Sequence, residues 1–361
     1  MVINQWLAAA HRGDAVGDCA RQVRDRLRAF GHRSDIFALT IDEDMADDAR
    51  PFSDPDARAG EVTILHFAIA SPLTQAFAAL PRGRVLQYHN VTPAKFFAPY
   101  DPAVFRIATL ARRELAWLAG RTDLALGVSE FNRQELEATG FSDTGLLPLA
   151  IDVDRIVNAR PVPALQRWLN DGLTNFLFVG RMAPNKKIED IIRLAEHYKR
   201  YVDAHYRFIF VGRYEGMPRY YNMLRAFIAE LGWQGDRFLF TGPVPDDELA
   251  TYYKAASVYI SMSEHEGFCV PLVEAMAADL PVLAYACTAI PDTLGGAGVQ
   301  FSPKHFEMAA ELLGILAFDD GVRAQVIEGQ RRRLLAFTGD HVNRELRRIV
   351  ARFESSRGSG L

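Results

Sequence analysis

The segment from Glu266 to Glu274, EGFCVPLVE, combines two carboxylates with residues that favour an exposed helix start. Pro271 suits a first helical turn, because the N–H that proline lacks would have no partner there. The backbone N–H groups from about Phe268 to Leu272 would face an anion beside the positive end of the helix dipole. With carboxylates to bind sugar hydroxyls, the pattern indicates a site for a diphosphate that carries a sugar at each end. The alternative is that both carboxylates only stabilise the helix.

A second segment, VGRMAPNKK at 179–187, supplies two cations. Arg181 ends a predicted strand, and Lys186 precedes or opens the next helix. Cations at the carboxyl end of a strand, beside a helix start, favour a dianionic diphosphate. The alternative is an ordinary pair of solvated surface cations.

Two histidines stand near the ends of predicted strands, His66 in LHFAIASP and His89 in YHNVTPAKFF. A lone histidine is more often structural, but each of these follows a strand that should face a ligand. His89, Asn90 and Thr92 form a polar cluster suited to hydroxyl groups. Lys95 and the two phenylalanines after it either touch an acceptor or a membrane, or form a partly buried loop.

Glycines mark the turn after the first predicted strand, in RGDAVGD at 12–18. Gly13 and Gly17 would allow the backbone to approach a phosphate closely. Gly17 is the stronger candidate, because it lies at the start of a predicted helix. A turn without a ligand explains Gly13 equally well, and Asp14 and Asp18 are candidates for capping the helix.

Short apolar runs alternate with helical periodicities along the whole chain. The runs lie at 2–6, 34–40, 61–70, 84–91, 123–129 and 145–152, and again at 175–181, 207–213, 237–242, 257–263, 280–285 and 298–302. Strands that alternate with helices predict parallel sheets with helices on both faces. The chain of 361 residues is long enough for two such domains.

A linker-like stretch near 158–172, ARPVPALQRWLNDG, separates the two series. We therefore expect an N-terminal, Rossmann-like acceptor domain at 1–157 and a C-terminal, Rossmann-like donor domain at 158–337. A C-terminal helix at 338–361 would pack back on the N-terminal domain. Ligands of open α/β sheets bind beyond the carboxyl ends of the strands, so the two doubly wound domains are expected to face a central cleft.

Composition excludes some classes of function. The formal net charge of -4 offers no basic excess for nucleic acid. Three dispersed cysteines argue against a disulfide framework or a zinc site. The N-terminus does not resemble a signal peptide, and no apolar run approaches the roughly 20 residues that span a bilayer. We expect a cytoplasmic protein, with peripheral contact to the inner membrane face left open and no prediction of oligomeric state.

Together, GRMAPNKK and EGFCVPLVEAMAADLPVLA resemble family 4 of the GT-B glycosyltransferases, which are retaining enzymes that use nucleotide sugars. The E-x7-E element corresponds to Glu266 and Glu274, and the basic element to Arg181 and Lys186. PLAID at 148–152 resembles the junction between the two domains. The similarity covers most of the chain and is strongest in its C-terminal half.

The resemblance implies that Arg181 and Lys186 hold the donor diphosphate. It further implies that Glu274 binds the ribose and Glu266 the hydroxyls of the donor sugar. The remaining donor contacts would come from Gly17, from Val244 in the loop TGPVPDDEL, and from the backbone of Gly267, Phe268, Cys269, Val270, Pro271 and Leu272. One departure is Lys187, which stands where a glycine is frequent.

Family members place histidines near the reacting centre, so His66 and His89 join Glu266, Arg181 and Lys186 as catalytic candidates. His89, Asn90, Thr92 and Lys95 are the candidates for acceptor binding.

The expected reaction is retaining transfer of a hexose from a UDP- or GDP-sugar to a hydroxyl, on a glycan or a lipid-linked oligosaccharide. We expect no metal cofactor, because no Asp-x-Asp cluster stands at a strand end. Alternatives are a nucleotide-sugar binding protein without activity, and an enzyme with a small-molecule acceptor. The G-x-G-x-x-G of a Rossmann oxidoreductase is missing after the first strand.

Overall fold

The computed structural model describes residues 1–11, 13–232 and 237–358, with side chains described up to residue 355. These residues form two compact units. Unit 1 comprises Met1–Lys95, Ala103–Ile151 and the C-terminal residues from Ala336, and unit 2 comprises Phe96–Pro102 and Asp152–Leu335. Each unit is built on one parallel sheet, which confirms the predicted α/β class.

Unit 1 contains a seven-stranded parallel sheet in the order β3-β2-β1-β4-β5-β6-β7. Its strands are β1 Ile3–Ala10, β2 Ile36–Ile41, β3 Arg50–Pro51, β4 Val62–Phe67, β5 Arg84–Tyr88, β6 Leu124–Gly127 and β7 Thr144–Leu146. Its first four helices are α1 Ala15–Ala29, α2 Leu73–Ala78, α3 Pro102–Leu118 and α4 Glu130–Thr139. The direction of strand progression reverses between β1 and β4, which is where sheets of this kind bind ligands.

Register across this reversal sets which side chains share a face. Gln5 of β1 pairs with Ile64 of β4, and His66 of β4 pairs with Gln87 of β5. Because side chains alternate along a strand, Gln5, His66, Gln87 and His89 all project from one face of the sheet.

Unit 2 contains a six-stranded parallel sheet in the order β10-β9-β8-β11-β12-β13. Its strands are β8 Thr174–Val179, β9 Tyr206–Val211, β10 Phe238–Gly242, β11 Val258–Ser261, β12 Val282–Tyr285 and β13 Val299–Phe301. Its helices are α5 Asp154–Val157, α6 Pro163–Leu169, α7 Ile188–Tyr201, α8 Pro218–Glu230, α9 Asp246–Ala255, α10 Val270–Ala277, α11 Ile290–Leu294, α12 Phe306–Phe318 and α13 Asp320–Leu334. Strand progression reverses between β8 and β11.

One apolar stripe of α7 is buried against this sheet. Ile188, Ile191, Ile192, Ala195 and Tyr198 are each 0% exposed. Burial of an isoleucine side chain stabilises the fold by about 1.5–3 kcal/mol. This stripe therefore anchors the helix that follows β8.

Two glycines let the carboxyl ends of β8 and β9 approach closely. A Cβ atom on Gly212 would lie 2.3 Å from the carbonyl oxygen of Gly180, which no real side chain tolerates. Both residues also have positive φ, 150° and 135°. Glycine at these two positions therefore shapes the strand ends that carry Arg181 and its neighbours.

The C-terminal helix, α14 Gly339–Gly358, lies in unit 1. Val342, Leu346 and Val350 are buried, and Arg352 forms an ion pair with Asp143. Among the residues that the structure describes, no helix is both long enough and apolar enough to cross a bilayer.

Candidate functional site

The loops after β8 and β11 meet through a buried ion pair. Lys186 Nζ lies 2.7 Å from each carboxylate oxygen of Glu266, and Glu266 is 7% exposed. Asn185 holds the loops together, because its side-chain amide donates to the His265 carbonyl at 2.9 Å. Its own carbonyl accepts from the Glu264 amide at 2.8 Å. The strand reversal of unit 2 thus carries a fixed cation and a fixed carboxylate.

Arg181 differs from Lys186 although the sequence predicts the same role for both. It is exposed, and the described residues offer its guanidinium no hydrogen-bond or ion-pair partner. Since Glu266 already neutralises Lys186, Arg181 is the uncompensated cation of the predicted pair.

The helix predicted near Pro271 begins at Val270. The predicted run of free amides is shorter than expected, because Pro271 has no N–H and the Leu272 amide donates to the Cys269 carbonyl at 3.0 Å. Within the described part of the chain, the amides of Cys269 and Val270 have no acceptor. The amides of Cys269 and Val270 are therefore able to meet an anion here.

Non-glycine residues with positive φ concentrate around these loops. Lys187, Cys269 and Thr288 have φ of 53°, 73° and 46°. An L-residue in this region costs about 1–2 kcal/mol, and such costs gather at functional sites. The departure at Lys187 therefore keeps the turn that glycine would adopt, at an energetic cost.

The side chain of Lys187 is engaged as well. Its amine lies 3.4 Å from a carboxylate oxygen of Glu189 and 3.6 Å from one of Glu264. Burial opposes the charge, but Glu189 and Glu264 outweigh it and raise the pKa of Lys187 above its ordinary value. Lys187 thus remains a cation.

Glu274 is held by two residues that the sequence analysis did not identify. It is 2% exposed; Arg155 donates to one of its carboxylate oxygens, and the Tyr253 hydroxyl donates to the other at 2.8 Å. Burial, and then the Glu274 charge, raise the pKa of Tyr253 well above its ordinary value, so the hydroxyl remains a donor. No motif marked Arg155, which lies just beyond the PLAID junction.

Arg155 also reaches the loop that carries Val244. Its guanidinium lies 2.7 Å from a carboxylate oxygen of Asp246, the first residue of α9. Val244 is half-buried in the loop between β10 and α9. One side chain therefore ties this loop to Glu274.

Both acidic residues of the E-x7-E element act on the same buried hydroxyl. The pKa of Tyr259 is raised well above its ordinary value, first by burial, then by Cys269, Glu266 and Glu274. Glu266 and Glu274 therefore both lie within electrostatic reach of the Tyr259 hydroxyl. We call Arg155, Arg181, Lys186, Glu266 and Glu274 the charged site.

A second cluster of polar side chains lies at the strand reversal of unit 1. His66 Nδ1 lies 2.9 Å from His89 Nε2, and His66 Nε2 lies 2.8 Å from Gln5 Oε1. Burial, and then His89, lower the pKa of His66 well below its ordinary value. Burial lowers the pKa of His89 to about 3. Both rings are therefore neutral at physiological pH.

Cys19 completes this cluster. Its sulfur and one nitrogen of each histidine lie within 4.8 Å of one another, and the Gln87 amide donates to the sulfur at 3.4 Å. Burial raises the pKa of the Cys19 thiol to about 12. Thiol and imidazole groups can bind metal ions, but here the two rings bond directly to each other. We call Gln5, Cys19, His66, Gln87 and His89 the histidine site.

The predicted acceptor residues around His89 have different surroundings. Asn90 has φ of 84°, and its side-chain amide donates to Asn132 at 2.9 Å. Thr92 is half-buried and Lys95 is exposed. Of these, Asn90 is committed to contacts within unit 1.

Gly17 is required for packing. A Cβ atom at this buried position would lie 2.3 Å from the His11 carbonyl oxygen. Helix α1 can pass the chain after β1 only because residue 17 has no side chain. Asp14, at the N-cap position, makes no side-chain cap hydrogen bond.

The phenylalanine loop after Lys95 belongs to unit 2. The Phe96 ring lies 6.3 Å from that of His265, and Tyr100 packs edge-on against Tyr220 at 5.1 Å. Phe97 is 8% exposed. The partly buried alternative describes this loop.

The fold resembles that of Anabaena Alr3699/HepE in complex with UDP and glucose, with a TM-score of 0.75 and 16% identity over 97% of this chain and 99% of that one. A sucrose-phosphate synthase from Thermosynechococcus elongatus gives a TM-score of 0.72 and 18% identity over 98% and 99%. These likenesses confirm two parallel-sheet domains of the GT-B fold.

Residues 167–333 match the family model described as glycosyl transferases group 1. A GDP-mannose-dependent alpha-mannosyltransferase of Mycobacterium tuberculosis (strain CDC 1551 / Oshkosh) is 30% identical over 220 residues, which cover 60% of this chain and 54% of the relative. An O-antigen chain mannosyltransferase B of Escherichia coli is 28% identical over 202 residues, 54% and 52% of the two chains. The chain spans about half the length of these curated relatives. The matched residues, 167–333, thus resemble the group 1, or family 4, glycosyltransferases.

Proposed function

We propose that this protein transfers a hexose from a nucleotide diphosphate sugar to a hydroxyl acceptor, with retention at the anomeric carbon. The observation that carries the proposal is the charged site at the reversal between β8 and β11. There Arg181 is uncompensated, and Lys186 is held 2.7 Å from both oxygens of Glu266. A dianionic diphosphate matches these cations and the adjacent helix start.

In this proposal Arg181 and Lys186 bind the diphosphate, together with the amides of Cys269 and Val270. Glu274 accepts hydrogen bonds from the ribose, since a carboxylate keeps free lone pairs after bonding Arg155 and Tyr253. Glu266, held by Lys186, accepts hydrogen bonds from donor-sugar hydroxyls.

The chemical step is a front-face substitution. The bond between the anomeric carbon and the diphosphate oxygen breaks as the acceptor oxygen forms its bond on the same face. The leaving phosphate oxygen takes the acceptor's proton, and the cations stabilise the negative charge that develops. Loss of one such preorganised group typically costs about 10²–10³ in rate.

A thermal-shift panel tests the donor side. It compares UDP, GDP, UDP-glucose and GDP-mannose, because relatives are named for GDP-mannose use and one similar structure contains UDP and glucose. A ligand that binds only the folded state adds RT ln(1 + [L]/Kd) of stability. No shift with any of the four would contradict a nucleotide-sugar site.

Product analysis by mass spectrometry then separates transfer from binding. Incubation with the stabilising nucleotide sugar, with and without glycan and lipid-linked oligosaccharide acceptors, should yield a longer acceptor and free nucleoside diphosphate. Binding without any turnover would favour the binding-protein alternative. A product from a small acceptor alone would favour the small-molecule alternative.

The proposed mechanism uses no metal ion. Transfer should therefore continue in EDTA, at a rate within about twofold of the untreated enzyme. Abolition by EDTA with recovery on adding magnesium would contradict this part of the mechanism.

We also propose that the protein works in the cytoplasm and that unit 1 touches an anionic membrane surface through α3. The three free thiols support a reducing compartment. On α3, Arg106, Leu110, Arg113 and Trp117 share one face at helical spacing and are all exposed, Leu110 by 50% and Trp117 by 41%. Apolar and cationic side chains on one helix face suit an acidic lipid surface.

Co-sedimentation with vesicles tests this contact. We expect binding to phosphatidylglycerol vesicles and none to phosphatidylcholine vesicles, with several-fold weaker binding after Leu110→Ser. Leu335→Ser removes a more exposed leucine, 70% exposed, from unit 2 and is the matched control. Equal effects of the two substitutions would contradict a surface on α3.

A further inference from the structure

In the histidine site, a backbone carbonyl fixes which atom donates and which accepts in each successive hydrogen bond. The Gln5 side-chain nitrogen lies 3.0 Å from the Ala20 carbonyl oxygen and 3.4 Å from Ser34 Oγ. A carbonyl oxygen can only accept, so the Gln5 amide nitrogen must face it. The Gln5 oxygen is thereby aimed at His66.

This orientation determines where His66 carries its proton. Gln5 Oε1 can only accept, and it lies 2.8 Å from His66 Nε2. His66 Nε2 must therefore be protonated. A neutral imidazole has one N–H, so His66 Nδ1 is a bare acceptor.

The bare Nδ1 of His66 determines the protonation of His89 in turn. Its Nε2 lies 2.9 Å from His66 Nδ1 and must donate to it. His89 Nδ1 is then the bare nitrogen of the second ring, and the described residues provide it with no hydrogen-bond partner. His89 is half-buried, so this nitrogen is the end of the chain of bonds.

We propose that Gln5 is a positioning residue that sets the protons of both histidines, so that His89 presents a bare Nδ1 as an acceptor for a ligand hydroxyl. A phosphate at neutral pH offers mainly acceptor oxygens, and two acceptors repel each other. The site is therefore suited to a neutral hydroxyl group of a sugar. The ligand part of this inference rests on the proposed function; the proton positions do not.

The thiol of Cys19, the other titratable group of the cluster, does not disturb this arrangement, because burial raises its pKa to about 12 and keeps it protonated. The pKa values of His66 and His89 both lie below the ordinary value. No proton moves within the cluster across the physiological range.

Nitrogen-15 NMR of the full chain tests the proposal directly. Long-range proton–nitrogen spectra of histidine-labelled protein should show the Nε2–H form for His66 and His89, without titration between pH 5 and 8. Single His→Gln variants assign the signals among the nine histidines. A His89 that carries its proton on Nδ1, or that titrates near pH 6.5, would overturn the proposal.

Gln5→Met tests the role of the amide, since methionine has a similar shape but no acceptor for His66. We expect His89 to become a mixture of both neutral forms in this variant. The matched control is Gln87→Met, which removes the other buried glutamine of this face and should leave the signature unchanged.

Adding sugar nucleotides tests the ligand part. UDP-glucose or GDP-mannose should shift the His89 Nδ1 resonance, whereas inorganic phosphate should not. A shift with phosphate alone would overturn the hydroxyl assignment. If the hexose of neither sugar nucleotide is transferred in the product assay, the proposed function fails. The histidine proton positions measured in wild type and in Gln5→Met still test the positioning role of Gln5.

Discussion

The charged site of unit 2 and the histidine site of unit 1 both lie where a parallel sheet reverses its strand progression. The first is built from charged side chains and the second from neutral ones. The charged site has two ion pairs with buried carboxylates and partly buried cations, Lys186 with Glu266 and Arg155 with Glu274. The histidine site holds its side chains by hydrogen bonds between neutral groups.

This difference has a physical consequence for the ligands. Fixed charges in a partly dry site interact strongly with a charged ligand, so they favour a diphosphate. A neutral acceptor with a fixed tautomer discriminates hydroxyls by geometry and costs less to desolvate. We expect substitutions in the charged site to reduce transfer more than substitutions in the histidine site.

Lys186→Met should have the largest effect. It removes a phosphate contact and leaves the Glu266 carboxylate buried without its partner, so kcat/KM should fall by about 10²–10³. Steady-state kinetics with the stabilising donor measures the change. Arg331→Ala removes an exposed arginine, 58% exposed and paired with Asp279, as the control for loss of one positive charge.

The double substitution Lys186→Met with Glu266→Gln separates stability from catalysis. Because no unpaired carboxylate remains at residue 266, the free energy of unfolding should recover toward the wild-type value, while the rate of transfer stays low. Recovery of transfer would mean that the pair only supports the fold.

Arg155→Ala should raise the donor KM about tenfold, with a smaller change in kcat. The substitution releases Glu274 and frees the loop that carries Val244, so nucleotide binding is affected more than the chemical step. Asp246→Asn weakens only the loop contact and should change KM less. Equal effects of the two substitutions would contradict a role for Arg155 in holding Glu274.

Acid should destabilise the protein through the histidine site. The native-state pKa values of His66 and His89 are lowered, so the unfolded chain binds more protons below pH 6.5. The free energy of unfolding should therefore fall as pH drops from about 6.5 toward 3, by up to about 1.4 kcal/mol per pH unit per histidine. Urea unfolding at pH 5, 6 and 7 measures this slope. His89→Gln should reduce it; an unchanged slope would count against a neutral His89.

The smallest effect is expected at the left-handed turns of the charged site. Cys269 has φ of 73°, so glycine should be more stable than alanine there by up to about 1–2 kcal/mol. At an ordinary position alanine is the more stable of the two by about 0.5–1 kcal/mol. Urea unfolding of Cys269→Gly and Cys269→Ala compares them directly. Alanine proving more stable would remove the argument for strain.

Local pattern predicted the fold class and the charged loops well. The end of β8 at Val179, two residues before the predicted end at Arg181, and the helix start at Val270 follow from short apolar runs and from proline chemistry, both of which act within a few residues. The resemblance to family 4 was confirmed by comparison with known proteins. The same local reasoning could not find Arg155, because its partner Glu274 lies 119 residues away in the chain.

The sequence by itself determined which ionisable groups stand at the strand ends, since parallel strands place their carboxyl ends on one edge of a sheet. Only the tertiary structure decided how those groups are paired. Lys186 is neutralised while Arg181 is not, and Gln5 reaches His66 across 61 residues of chain. The reason is register: a shift of one residue between β1 and β4 would turn Gln5 and His66 to opposite faces, and no local pattern specifies that alignment.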